Sequence, residues 1–253
     1  MRLKFHTVTI LVVLAFCRPT AWAGNAPALH DGVRMQQKSQ LVGEFDVSIT
    51  DKALMARNRK GSMSLYCVAP FKDVVMFSDR TAKFYAVPFA NFRCPVSKTL
   101  TAVNAGLLSE TPVEKKGTNV YKKNNVTVYH STAAFTRKQI ARYKAQEVPG
   151  RGPGDYTCYT SDNQKVDEHL VSVIYRFYGL PVLPAFPLYA EYNDLGGDKN
   201  LSLTTDKLTK AKLDDSVFKL PANYKKASKT EDLYVSDDTK DEMDMMIGGP
   251  QKF

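Results

Sequence analysis

"LVGEFDVSIT", residues 41–50, sets Leu41, Gly43, Phe45, Val47 and Ile49 on one side of an extended chain and Glu44, Asp46, Ser48 and Thr50 on the other. This period of two belongs to a strand buried on one face only. "SMSLYCVA" (62–69) repeats it with Met63, Leu65 and Cys67, and the more continuous "DVVMFS" and "KFYAVP" follow, separated by the turn-formers "PFKD" and "SDRT". Short strands joined by tight turns pair as antiparallel neighbours. A meander is therefore expected for residues 41–88.

The second half mixes strands with helices. A weakly helical stretch spans Ser97 to Leu108, and two strands, "TNVYKK" and "VTVYHST", are expected around the turn "NN" at Asn124–Asn125, with Val126, Val128 and His130 on a common face. "AAFTRKQIARYKAQE" (133–147) reads as helix and "PGRGPG" (149–154) as punctuation. "KVDEHLVSVIYRFYG" (165–179) carries the strongest helical pattern, with Val166, Leu170, Val173, Ile174 and Phe177 in one stripe. Asp167 and Glu168 suit its first turn, and Gly179 with Pro181 ends it.

In "YGLPVLPAFPLYAEY" (178–192), Pro181, Pro184 and Pro187 recur every third residue. Each fixes its own φ and keeps the preceding residue out of the helical region. The apolar neighbours distinguish the segment from an exposed PxxP ligand, so it reads as a stiff bridge from helix to strand. "NLSLTT" and "KLTKAKLDDSVFKL" supply the last strands, the first reached through the turn "DLGGDKN". The tail 236–253 is acidic, then rich in Met.

The N-terminus bounds the compartment. Arg2 and Lys4 precede the apolar run Val8–Phe16, and Ala21-Trp22-Ala23 offers small residues at the cleavage positions, the layout of a secretory signal over residues 1–23. The run is about half of the roughly 20 residues that a membrane span needs. Leu14-Ala15-Phe16-Cys17 leaves a second possibility, a lipid anchor on Cys17. Residues 24–37 are assigned to a linker, 38–235 to one domain and 236–253 to a tail.

Of the 35 Lys and Arg in the chain, Arg2, Lys4 and Arg18 fall in the signal, leaving 32 basic against 26 acidic residues, or +6 compared with +9 for the whole. This mild excess is compatible with peripheral contact at an anionic membrane surface. It lacks the dense basic block that tracks a phosphate backbone, so nucleic acid is not an expected partner. Cys67, Cys94 and Cys158 permit one disulfide in three alternative pairings.

Neither a catalytic nor a metal site is expected. His30, His130 and His169 form no HExxH or other metal-spaced cluster, and no GxSxG elbow accompanies a candidate triad. Asp237, Asp238, Asp241, Glu242 and Asp244 lack the spacing of a calcium loop, and Met243, Met245 and Met246 read as an apolar contact. Asn125 and Asn200 head glycosylation-type triplets. The amphipathic helix and proline bridge laid across an apolar sheet face either enclose a cavity or fill the core themselves.

The meander from Leu41 to Pro88, the helix with "GLPVLPAFPL", and the closing "DDSVFKLPANYKK" (214–226) resemble the LolA-type lipoprotein carriers and related secreted proteins over residues 38–227. The resemblance implies a mainly β (α+β) chain: a curved antiparallel half-barrel sheet with helices covering the concave face. It implies binding of an acyl chain or other hydrophobic small molecule outside the cytoplasm, without cofactor or catalysis. Phe45, Val47, Leu65, Val128, Val173, Ile174, Phe177, Leu180, Leu183 and Phe186 are the residues expected to line or close the cavity. It also implies an Arg in the sheet that holds the lid, for which this sequence offers no matching position. The alternatives are an envelope interaction protein with a self-filled core and, third, a hydrolase needing His130 or His169 beside Ser or Asp in a cleft.

Overall fold

A computed structural model describes residues 29–93, 112–131, 153–161, 165–194 and 199–234. The expected signal, Cys94, the helices expected over 97–108 and 133–147, most of the "DLGG" turn and the tail lie outside the described residues. The described elements are β1 (Leu29–Ser39), β2 (Gly43–Thr50), β3 (Ala53–Asn58), β4 (Met63–Val68), β5 (Asp73–Ser78), β6 (Lys83–Pro88), β7 (Val113–Tyr121), β8 (Asn124–Ser131), β9 (Pro153–Ser161), one α-helix, α1 (Glu168–Tyr178), β10 (Pro187–Asp194), β11 (Lys199–Asp214) and β12 (Lys225–Lys226). The strands form one curved, open sheet in the order β12-β6-β5-β4-β3-β2-β1-β11-β10-β9-β8-β7, antiparallel throughout except for the parallel β12–β6 pair.

The meander expected from β2, β4, β5 and β6 is present, and the register shows how it makes a core. Val33, Val47, Ala56, Leu65, Met76 and their neighbours fall on one face and are all nearly inaccessible. That face carries the large cluster that continues through β9, β10 and α1. Irregularities at Gln36/Gln37, Lys115/Gly117 and Ala190/Glu191 add bends of the kind that curve a sheet.

Several expectations are corrected. Residues 29–37, read as linker, form most of β1 at the centre of the sheet, between β2 and β11. Gly32 is required there, because a Cβ would sit 2.5 Å from the Ile49 carbonyl oxygen and 2.6 Å from Leu213 Cδ1. β3 escapes the period-two pattern because Ala53 and Met55 face a second small core while Leu54 and Ala56 face the first, which abolishes the alternation. β9 starts at Pro153, inside the stretch read as punctuation. The turn of the β7–β8 hairpin falls on Lys122–Lys123, at φ 45° and 67°, rather than on Asn124–Asn125. Asn124 instead donates from Nδ2 to the Lys122 carbonyl at 2.9 Å, locking the turn from its first strand residue.

The last strands also differ. "NLSLTT" and the stretch after it run as one 16-residue strand, β11. "KLTKAKLDDSVFKL", expected as strand, leaves the sheet after Asp214 in a 3-10 turn (Asp215–Phe218) started by the Asp214 carboxylate accepting from the Ser216 N–H. Phe218, with Val217, Leu220 and Tyr224, then covers Ala53, Met55 and Phe77 on the opposite face of the sheet. Arg57 pins this cover through a bidentate pair to Asp79, with Nε–Oδ2 at 3.0 Å and Nη2–Oδ1 at 2.8 Å, and the Tyr224 hydroxyl donates to the same carboxylate. Cys67 on β4 and Cys158 on β9 are free thiols with six strand steps between them, so they are not joined to each other. Burial pushes both thiols up to about 12, which leaves them protonated and inert.

Candidate functional site

The helix follows from its caps and its stripe. Asp167 accepts from the His169 N–H at 2.9 Å, satisfying an otherwise orphaned donor of the first turn. Gly179 takes the left-handed conformation at φ 66°, and the Leu180 N–H returns to the Tyr175 carbonyl at 2.9 Å. Between them Leu170, Val173, Ile174 and Phe177 are fully buried against the sheet, and the Phe177 ring meets Phe45 edge-on at 5.1 Å. The proline bridge continues the contact. Leu180, Leu183 and Phe186 are buried, Val182 is exposed, and the Tyr175 hydroxyl donates to the Ala185 carbonyl at 2.9 Å to fold the bridge back on the helix.

Nine of the ten expected lining residues therefore meet in one packed cluster: Phe45, Val47, Leu65, Val173, Ile174, Phe177, Leu180, Leu183 and Phe186. Val128 is the exception; it is half-buried and paired in register with Tyr159. Tyr159 stacks on Tyr189 at 5.0 Å and meets Tyr121 edge-on at 5.7 Å.

One polar knot lies inside this apolar contact. Gln37, 2% exposed on β1, donates from Nε2 to the Pro187 carbonyl at 2.9 Å and to Thr205 Oγ1 at 3.0 Å, and its Oε1 accepts from the Tyr178 hydroxyl at 2.8 Å. Thr205 in turn donates to the Leu188 carbonyl at 2.7 Å. Gln37 thus ties the end of α1 and the start of β10 to the middle of the sheet. Burial drives the Tyr178 phenol far above its usual range, so it stays a donor. Sequence reading misses this residue because it lies in the supposed linker. The Tyr156 hydroxyl, fully buried, has no nitrogen or oxygen partner among the described residues and lies beside the Cys158 thiol.

A cavity of about 380 Å³ opens where α1, the bridge and the 3-10 turn after β6 converge. Its described lining is Phe89, Val171, Val182, Leu183 and Pro184 on the apolar side and Glu168, His169 and Ser172 on the polar side. Val171 and Leu183 belong to the buried cluster, so the cavity floor is continuous with the core. His169 stacks on Phe71 at 5.1 Å and tilts against Phe89 at 5.2 Å, while its Nδ1 lies 2.7 Å from Asp167 Oδ1. Although burial works the other way, the hydrogen bonds from His169 hold the Asp167 carboxyl below its usual range. Arg176 is turned aside, with Nη1 donating to the Phe89 carbonyl at 3.1 Å. His130 bonds Thr157 and His30 pairs with Asp215, so the three histidines are far apart in role. No metal-ligating cluster occurs among the described residues.

No family model and no curated protein matches the chain. Solved structures similar to it include an uncharacterized conserved protein from Thermus thermophilus (TM-score 0.42, 7% identity, covering 78% of this chain and 89% of that one). LprF from Mycobacterium bovis is similar at TM-score 0.30 and 14% identity, covering 78% and 90%. A LolA superfamily protein from Nitrosomonas europaea is similar at TM-score 0.22 and 8% identity, covering 76% and 90%.

Proposed function

We propose that this is a non-enzymatic binding protein of the periplasm or extracellular space that holds a hydrophobic ligand, an acyl chain or lipid, in the groove formed by α1, the proline bridge and the 3-10 turn after β6, serving lipid or lipoprotein traffic. The observation that carries this is the cavity of about 380 Å³, whose floor is the core itself. Its size lies within the ~300–1,000 Å³ of small-molecule sites. An alkyl chain entering beside Val182 meets Val171 and Leu183 directly, and each CH₂ taken from water contributes about 0.8 kcal/mol. Displacement of Phe177 and Leu180 by the chain would deepen the site, with α1 and the bridge as its gate. The secretory signal and the +6 mature charge fit delivery near an anionic membrane surface.

The second reading, an envelope protein with a self-filled core, is favoured by the close packing of Phe45 on Phe177 and Tyr178. Native mass spectrometry of the mature protein purified without detergent, followed by organic extraction, separates the two. A released amphipath, together with uptake of a neutral solvatochromic dye that Val182→Asp weakens, supports the binding reading. A clean apo mass with no dye uptake overturns it. Val182 is 54% exposed, so its substitution perturbs the mouth of the cavity and not the core.

A further inference from the structure

We infer that the ligand, on the binding reading above, is an amphipath with a hydrogen-bond-donating, cationic head such as a primary ammonium, and that the cavity discriminates against carboxylate heads. The walls divide by chemistry. Phe89, Val171, Val182, Leu183 and Pro184 take the alkyl part, and the polar side is confined to the first turns of α1. Glu168 and Ser172 are one helical turn apart and share a face. Glu168 is the one carboxylic side chain in the lining among the described residues.

The neighbouring groups reinforce that sign. The Asp167 carboxylate can only accept, so its contact with His169 Nδ1 places a ring proton there. The helix N-terminus, which on its own attracts anions, already has Asp167 accepting from the His169 N–H and Glu168 in its first turn. The neighbouring guanidinium groups are engaged elsewhere: Arg176 lies against the Phe89 ring at 5.2 Å and donates to the Phe89 carbonyl, and Arg93 donates to the Ala90 and Phe92 carbonyls. An anionic head would thus meet the Glu168 carboxylate, while an ammonium meets that carboxylate and the Ser172 hydroxyl. The whole chain pulls the other way: at +9 it attracts carboxylates without specificity. A preference for ammonium can arise only locally.

Displacement of the bound neutral dye by dodecylammonium, dodecanoate and dodecylglycerol, each below its micelle concentration, tests the inference. Glu168 is exposed, so the expected preference of ammonium over carboxylate is modest, about fivefold, and Glu168→Gln brings the ratio close to one. Equal or tighter binding of dodecanoate, or a preference that survives Glu168→Gln, overturns the head-group assignment while leaving hydrophobic binding intact. Failure of all three to displace dye overturns the binding reading and this inference with it.

Discussion

Replacing Gln37 by Leu should unfasten α1 and the proline bridge from the sheet. The substitution keeps the volume but removes three buried hydrogen bonds, at 2.9, 3.0 and 2.8 Å. Each contributes about 1 kcal/mol net, and the Tyr178 hydroxyl and Pro187 carbonyl are left buried without that partner. The added apolar surface offsets part of the loss, for an expected destabilisation of about 3 kcal/mol. For a domain of this size that lowers Tm by roughly 6–12 °C. Tyr178→Phe removes one bond of the three and should cost about 1–1.5 kcal/mol. Because both changes break the same Tyr178–Gln37 contact, the double variant should lose less than the sum by about 1 kcal/mol. Urea unfolding followed by far-UV circular dichroism measures all four corners of the cycle, since the one Trp of the chain, Trp22, lies outside the described residues. Freed from the clamp, the Leu variant should also take up the neutral dye faster. Additivity within about 0.3 kcal/mol, with unchanged uptake, would show that Gln37 does not hold the helix.

Three further outcomes follow from single contacts. The Arg57 guanidinium, with the Tyr224 hydroxyl, holds the Asp79 carboxyl below its usual value, so the unfolded chain takes up this proton first as pH falls. The contribution is therefore complete at neutral pH and is lost as pH drops below about 5; with Arg57 half-exposed it amounts to about 1 kcal/mol, and Asp79→Asn should remove that part of the pH dependence in acid-unfolding curves. Gly32→Ala should destabilise by about 1–3 kcal/mol in the same urea assay, because the new methyl collides with the backbone of Ile49 and not merely with a side chain able to move. Tyr156→Phe should leave Tm unchanged or raise it, since the deleted hydroxyl is fully buried and makes no hydrogen bond to nitrogen or oxygen among the described residues; a loss of more than about 2 kcal/mol would reveal a partner for that group.

What the sequence disclosed tracks how many faces of each element are buried. β2, with Phe45, Val47 and Ile49 inward and Asp46 outward, exposes one face and can be read directly. The α1 stripe and its Gly179-Pro181 stop are legible for the same reason, one wet side and one dry. β3 has both faces covered, because the segment around Phe218 packs on its far side, and a strand buried twice has no alternation to show. The hairpin turn is displaced by two residues because Asn124 acts through its side chain, as a cap on the turn, and not through its tolerance of left-handed φ.

β1 hides for a reason that bears on the proposed function. Its inward positions run Val33, Met35, Gln37, Ser39, so the apolar pattern fails halfway along, and the failure looks like a linker. The failure is the site of the clamp. An apolar residue at position 37 would have completed the pattern and exposed β1 to sequence reading, but it would have left the Tyr178 hydroxyl and the Pro187 carbonyl buried without that partner under the cover. If the cover is released as proposed, a Gln suits it, because its bonds are individually worth about 1 kcal/mol and all three are made on one side chain. A wholly apolar seam would bind the helix without a point at which to let go. On the proposed reading of α1 and the bridge as a gate, the local departure from pattern is the clamp on that gate, and the Gln37→Leu variant is what separates a gate from a filled core.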